Sequence, residues 1–449
     1  MSPPAPWMRR CLAAAAALVA TGCALVGRAP RVVPEDLPPP TARQVSYRGW
    51  DECWRLSNGL VRLTNVPQVG GRTLEYALGD YNFLFVGGRE LGTVFDEAEG
   101  DRYQQFGGHF VRLHPVSSWR RVQSSYPPAL FLGGFEARRA EVEGPAVAVE
   151  MAAPPDLATR TRLVRRIELF PASTRVRVSD TLTSFHRLPQ EWGIHDFLQL
   201  KGHPARSGVL RGTERPTGEL GLYLPLNPRS RFPHGVDYVM GGKWRTPARA
   251  RQWSTSRLPG LLALRYRGRF SKVLVDPVLP WVAFVDRGSE YAFVQRCEAP
   301  RKAVVAAGPP MTSYPFIEVQ CLGPVARLAP GESTTLVQEW FAARCPGPVL
   351  DVTPAGAVAA PLSLLRGEGK TLVEGTFGVF YVGRASLVFR GRGGAELARR
   401  DCGPVDPLHV VELKRTVDIP GRTAEVALEV LDGEGRCVGH LGRIRLGGQ

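Results

Sequence analysis

Four short stretches of this chain combine residue types that suit the handling of a polar ligand. The first is Val69-Gly70-Gly71-Arg72. Two glycines let backbone pass close to a neighbour, and Arg72 presents a planar fork of donors. The same residues also fit a β-turn with a surface arginine. The second is Phe106-Gly107-Gly108-His109, followed by His114 and Trp119. Glycine before histidine frees the backbone to set an imidazole in a cleft. A zinc site does not fit, because His109 and His114 face opposite sides of a strand and no third ligand is near.

The third stretch is Glu191-Trp192-Gly193-Ile194-His195-Asp196. Strand alternation puts His195, Phe197 and Gln199 on one face, with Trp192, Ile194 and Asp196 on or beside the other. Trp192 has the flat surface on which sugars stack, and His195 is a natural acid or base near neutral pH. A buried histidine bonded to a carbonyl is the alternative. The fourth is Tyr314-Pro315-Phe316-Ile317-Glu318-Val319-Gln320-Cys321. Ile317, Val319 and Cys321 form a core-like face, while Phe316, Glu318 and Gln320 share the other. A carboxylate between an aromatic ring and an amide suits a polyhydroxylated ligand, and a solvated strand face explains it equally.

The elements that must position these residues read as β throughout. Short alternating runs separated by turn signals include Leu60 to Val66, Arg162 to Leu169, Thr174 to Leu182 and Phe316 to Cys321. No long amphipathic helix and no internal repeat stands out. Many short strands imply an all-β sandwich or barrel. A Pro/Gly/Ala-rich stretch at 346–361 marks a linker between a large domain, 46–345, and a smaller one, 362–449. The latter has the size of an immunoglobulin-like β-sandwich.

The N-terminus carries its own chemistry. Arg9 and Arg10 precede an apolar run from Cys11 to Ala20, too short to span a bilayer and right for the core of a signal peptide. Ala20-Thr21-Gly22-Cys23 resembles a lipobox, which implies a signal peptide over 1–22 and lipidation of Cys23. Ala24 rather than aspartate after that cysteine points to an outer-membrane, envelope location in a double-membraned host. Residues 23–45 are rich in proline and read as a stiff tether.

Composition narrows the partners. The formal charge is +15, carried by 57 basic residues of which six are lysine. They are scattered rather than clustered with aromatics, which argues against nucleic acid and leaves loose attraction to anionic lipid or glycan. Six cysteines remain beyond the leader and lipid site: Cys53, Cys297, Cys321, Cys345, Cys402 and Cys437. An oxidising compartment allows disulfides but leaves the pairing open. Cys402 with Cys437 is one candidate pair, since both lie near the C-terminus. No Gly-rich nucleotide loop, serine-hydrolase elbow or metal spacing occurs, so no cofactor and no metal is expected.

The order of the motifs carries a resemblance. Asn58-Gly59-Leu60-Val61, the GGR at 70–72, the GGH at 107–109, the histidine at 195, the Glu318-x-Gln320 pair and the turn Leu328-Ala329-Pro330-Gly331-Glu332 resemble the galactose mutarotase-like superfamily, over residues 46 to 344. The resemblance implies a β-supersandwich with a sugar site on a concave sheet face. It assigns Glu318 as base and His195 as acid, with Arg72 and His109 at the substrate; the stacking surface of Trp192 and the amide of Gln320 add two further candidate substrate contacts from the residues themselves. Around His195 the segment GIHDFLQL departs from the family's N-H-x-Y-F-N-L, and only Asp237 and Asp276 offer themselves for its substrate-binding aspartate. Three readings follow: a lipid-anchored carbohydrate-binding protein, an aldose-1-epimerase-like enzyme, or a non-catalytic structural and assembly lipoprotein.

Overall fold

The computed structural model describes residues 31–96, 104–115, 118, 130–202, 216–238, 252–268, 271–279, 281–297, 302–307, 316–367 and 370–446. The leader, Cys23 and Trp119 lie outside them. Among the described residues no helix is long and apolar enough to cross a membrane.

The period-2 patterning builds a large sandwich of two sheets. One sheet has 12 strands and the other 10 among the described residues. In the first, the strands His109–His114, Gln190–Lys201, Phe316–Leu322, Lys302–Ala307 and Ser271–Val275 lie side by side. In the second, Tyr291–Cys297, Ser333–Arg344, Val176–Ser184 and Thr161–Leu169 do the same. All these neighbours pair antiparallel. The core between the sheets holds Leu63, Tyr76, Phe83, Trp192, Ile194, Leu198, Ile317, Phe293 and Trp340, all buried. This is the all-β, two-sheet architecture expected.

The domain limits differ from the expected ones at two places. Residues 41–45 are not tether: Thr41–Tyr47 is the edge strand of the 12-stranded sheet, paired antiparallel with Trp50–Ser57. Val32 and Leu37, upstream of it, already pack on the core. The presumed linker at 346–361 is likewise largely structured. Asp351–Val352 pairs with Gly356–Arg366, so the second domain begins before Leu362.

That second domain is a sandwich of two four-stranded sheets around Val373, Phe377, Leu387, Phe389, Leu428 and Val430. It docks on the outer face of the 10-stranded sheet. Phe380 stacks on Phe341 at 4.6 Å, and Val349 and Val352 pack with Tyr223, Trp281 and Val285. Backbone bonds from Thr174 to Phe380, Val382 to Ala172 and Arg344 to Pro407 stitch the contact. The C-terminal sandwich therefore covers the back of the large domain, on the sheet opposite to the one that carries His195 and Glu318.

Candidate functional site

The strand Gln190–Lys201 decides the site, because its two faces differ in kind. Register places His195 opposite Leu322, Phe197 opposite Gln320 and Gln199 opposite Glu318. All of these point to the outer face of the 12-stranded sheet, as the alternation predicts. Lys272 joins them from Ser271–Val275, two strands beyond Phe316–Leu322.

On this face polar side chains form a directed chain. The Lys272 Nζ donates to Gln320 Oε1 at 3.3 Å, and the His195 Nε2–H donates to the same oxygen at 3.1 Å. The Gln320 amide then donates to Glu318 Oε1. Gln199 Nε2 donates to Glu318 Oε2 at 2.8 Å, and Gln105 donates to Gln199. Glu318 thus accepts from two amides and lies at the end of every link. Phe197 and Phe316 bracket the strip, Phe197 lying 4.2 Å from the His195 ring.

The electrostatics of the strip follow from partial burial. Burial, with the nearby His114 and Lys272 charges, lowers the His195 imidazole to about 3. It is therefore neutral at physiological pH, with its proton on Nε2. Lys272 is held below the usual lysine value by burial, against the favourable pull of Glu318. His195 and Glu318 share a face as expected, but the Gln320 amide occupies the gap between them. A neutral imidazole tied to an amide is poorly set up to protonate a ring oxygen.

Three residues expected at the substrate are placed elsewhere. Trp192 is 1% exposed and packed in the inter-sheet core, its indole N–H bonded to Gln190 Oε1 at 3.0 Å. Its parity, shared with Ile194, points inward, so it has no surface for stacking a sugar. Arg72 is buried as well. Its guanidinium lies 3.9 Å over the Phe110 ring and donates to the Gly107 carbonyl at 2.8 Å. The Phe106 ring lies 5.7 Å from it, and the Phe131 carbonyl accepts from its Nη2 at 3.4 Å.

His109 is fully buried on the inner face. Its Nδ1 accepts from Arg165 Nη2 at 2.6 Å, and its Nε2 bonds to Asp196. A guanidinium only donates, so the tautomer is fixed with the proton on Nε2. Asp196 also accepts from Gln338 at 2.8 Å and Gln295 at 2.9 Å. Burial works against the Asp196 charge, but His109 and these amides outweigh it and hold the carboxyl below its ordinary value.

The two glycine motifs bring backbone segments into close approach, and Gly71 and Gly108 lie beside this inner network. Thr73 pairs with His109 where the strands Arg72–Leu78 and His109–His114 meet. Gly70 and Gly108 take φ of +78° and +70°, and a Cβ on either would lie 2.2 Å from a carbonyl oxygen, that of Phe131 or Thr73. Only glycine permits that approach. The Gly71 carbonyl in turn accepts from Arg165 Nη1 at 2.7 Å.

Sequence reading missed Arg165, Asp180 and Lys272. Arg165 Nε donates to Asp180 at 2.7 Å, and both side chains are wholly buried. The signal was present: each is the charged residue on the apolar parity of its strand, and the two strands are consecutive. His109, Asp180 and Asp196 offer ligand atoms within 4.8 Å of one another. The Arg165 guanidinium bonds two of those three and already supplies the positive charge a metal would bring. Lys272 gave no local signal. Of the two candidate aspartates, Asp276 accepts from Ser230 Oγ and the Arg231 amide, a loop contact away from the strip.

No protein-family model and no curated protein matches this chain. Among solved structures it is similar to a galactose mutarotase-like protein from Clostridium acetobutylicum, at 9% identity and TM-score 0.46 over 68% of this chain and 99% of that one. A galactose mutarotase-like protein from Lactobacillus casei is similar at 8% identity and TM-score 0.41, over 67% and 100%. So is a protein of Synechocystis sp. PCC 6803, at 12% identity and TM-score 0.42, over 71% and 99%.

Proposed function

We propose that this chain is a lipid-anchored protein of the cell envelope whose large sandwich binds a carbohydrate without transforming it. The observation that carries the binding reading is the outer-face chain from Lys272 and His195 through Gln320 to Glu318 and Gln199. Amides, a carboxylate and a neutral imidazole in one row, bracketed by Phe197 and Phe316, match the alternating donors and acceptors of sugar hydroxyls. Few other ligand classes need so many uncharged polar groups on a β-surface. Anchoring rests on the leader and on the small residues before Cys23.

The neutral state of His195 separates binding from epimerisation. Ring opening needs one group to take a proton while another gives one. Here the imidazole has no second proton to give near neutral pH, and Gln320 fills the space between it and Glu318.

Residues 32–449 form one compact unit and are the fragment to test. Titration with envelope oligosaccharides, followed by NMR, is expected to shift strip resonances, and Glu318→Gln is expected to weaken the effect. Anomer interconversion of glucose and galactose is expected to proceed at its uncatalysed rate. Acceleration that Glu318→Gln abolishes would replace this reading with the enzymatic one. An absence of shifts with every glycan would leave the structural reading. For the anchor, labelling of the full chain with a radioactive fatty acid is expected to vanish in Cys23→Ala.

A further inference from the structure

We propose that Cys297 and Cys321 form a disulfide that ties the two sheets of the large sandwich together once the chain reaches an oxidising compartment. The inference rests on the export proposed above. It stands on register. Cys321 sits opposite Asp196 in the 12-stranded sheet, and Cys297 sits opposite Gln338 in the 10-stranded one. Asp196 and Gln338 touch across the interior, Nε2 to Oδ1 at 2.8 Å. Each cysteine is therefore the pairing partner of a residue already in contact with the other's partner. Both thiols point into the same buried layer, and they hydrogen-bond to each other.

The remaining cysteines do not compete. Cys402 and Cys437, the pair suggested by their nearness to the C-terminus, lie on the two opposite edge strands of one four-stranded sheet. Three strand spacings separate them by about 14 Å, beyond the roughly 7 Å that a disulfide can bridge. Cys53 packs beside Trp50 and Val66, and Cys345 lies in the contact with the C-terminal sandwich.

The reaction joins the two sulfurs. Two protons and two electrons leave, and a protein or small-molecule disulfide takes them up and is reduced to two thiols. The folded state resists this step. The Cys321 thiol, burial and the Asp196 carboxylate hold the Cys297 thiol protonated, and only a thiolate attacks. The bond therefore forms while the sheets are assembling, and burial then shields it from reductants. Its ring closes about two dozen residues and includes Glu318 and Gln320, so it pins the strand that carries the strip.

The test uses the full chain with its own leader, made in a bacterium with an oxidising envelope, and the same chain made in a reducing cytoplasm. The second sample is unfolded and refolded in a mixture of oxidised and reduced glutathione. Free thiols are alkylated under denaturing conditions, and peptides are mapped without reduction. A linked peptide pair containing Cys297 and Cys321 is expected in both samples, with Cys402 and Cys437 alkylated. The Cys297→Ser/Cys321→Ser protein is expected to melt lower than the oxidised one by about 5 °C or more. Linkage in the refolded sample alone would uphold the thiol pairing and overturn its export premise. Alkylation of both cysteines in both samples would overturn the proposal.

Discussion

His109 and His195 stand on neighbouring strands of one sheet, face opposite ways, and live under opposite rules. The His109 ring is wholly enclosed, with Arg165 on one nitrogen and Asp196 on the other. Its tautomer is dictated, and every strong neighbour is itself bonded. His195 is half-buried and bonded through Nε2 to a glutamine, on a face that solvent reaches. The inner face is closed, with Asp180, Arg165, His109 and Asp196 bonded in a row, so it specifies the fold. The outer face has polar groups bonded in one direction, ending on a carboxylate, and is the one that can exchange partners with a ligand. The motif resemblance spread its residues over both faces, and of them His195 and Glu318 keep partly exposed side chains, while Arg72 and His109 are buried.

The contrast is easiest to break from inside. Arg165→Met would leave Asp180 buried without its cation and His109 Nδ1 without its donor. We expect a loss of about 3–5 kcal/mol in chemical denaturation, as for other half-broken buried pairs. Arg165→Met with Asp180→Leu is expected to recover much of that loss, since an apolar replacement removes the unpaired charge. Recovery would show that Arg165 is there to satisfy Asp180 rather than to act on a ligand.

Gly108→Ala comes next. The added Cβ meets the Thr73 carbonyl and the backbone is left-handed, so about 2 kcal/mol or more should be lost. A neutral result in thermal melting would contradict the close approach of Gly108 to the Thr73 carbonyl.

Acid titration sharpens the outer-face half of the comparison. The unfolded His195 imidazole takes up a proton near its ordinary value of 6.5, and the folded one only near 3. Between those values the unfolded state binds more protons. Stability is therefore intact above about pH 6.5 and is lost as pH falls toward 3, by up to about 1.4 kcal/mol per pH unit from this group. His195→Gln is expected to flatten that part of the stability profile. An unchanged profile would mean that the imidazole protonates as freely as in water.

The smallest effect on folding is expected at Glu318, whose side chain is partly exposed. Glu318→Gln should change stability by less than about 1 kcal/mol while lowering glycan affinity roughly tenfold, the worth of one charge-assisted hydrogen bond. A large loss of stability instead would assign Glu318 to the fold and not to a ligand.

Much of the site was legible strand by strand. The split of Phe316, Glu318 and Gln320 from Ile317, Val319 and Cys321, and of His195, Phe197 and Gln199 from Asp196, came straight from alternation. Trp192 shows where that stops. Its parity with Ile194 was readable, but its flat ring suggested a platform for a sugar, and burial against the opposite sheet was invisible. The close approach that the glycines of both motifs permit was legible, but not that at Gly70 and Gly108 the neighbour is the chain's own backbone. Lys272 could not be found at all, since it meets Gln320 across another strand and 48 residues of sequence.

The sequence by itself determined what a pleated backbone determines: the β class, the parity of each strand, and which residues travel together on a face. That information is local, because successive side chains must point to opposite sides. Tertiary structure alone decided which face met the second sheet, which charges found each other there, and which cysteines came within bonding reach. Those outcomes depend on registers between strands far apart in sequence, and the pattern within one strand does not encode its partner.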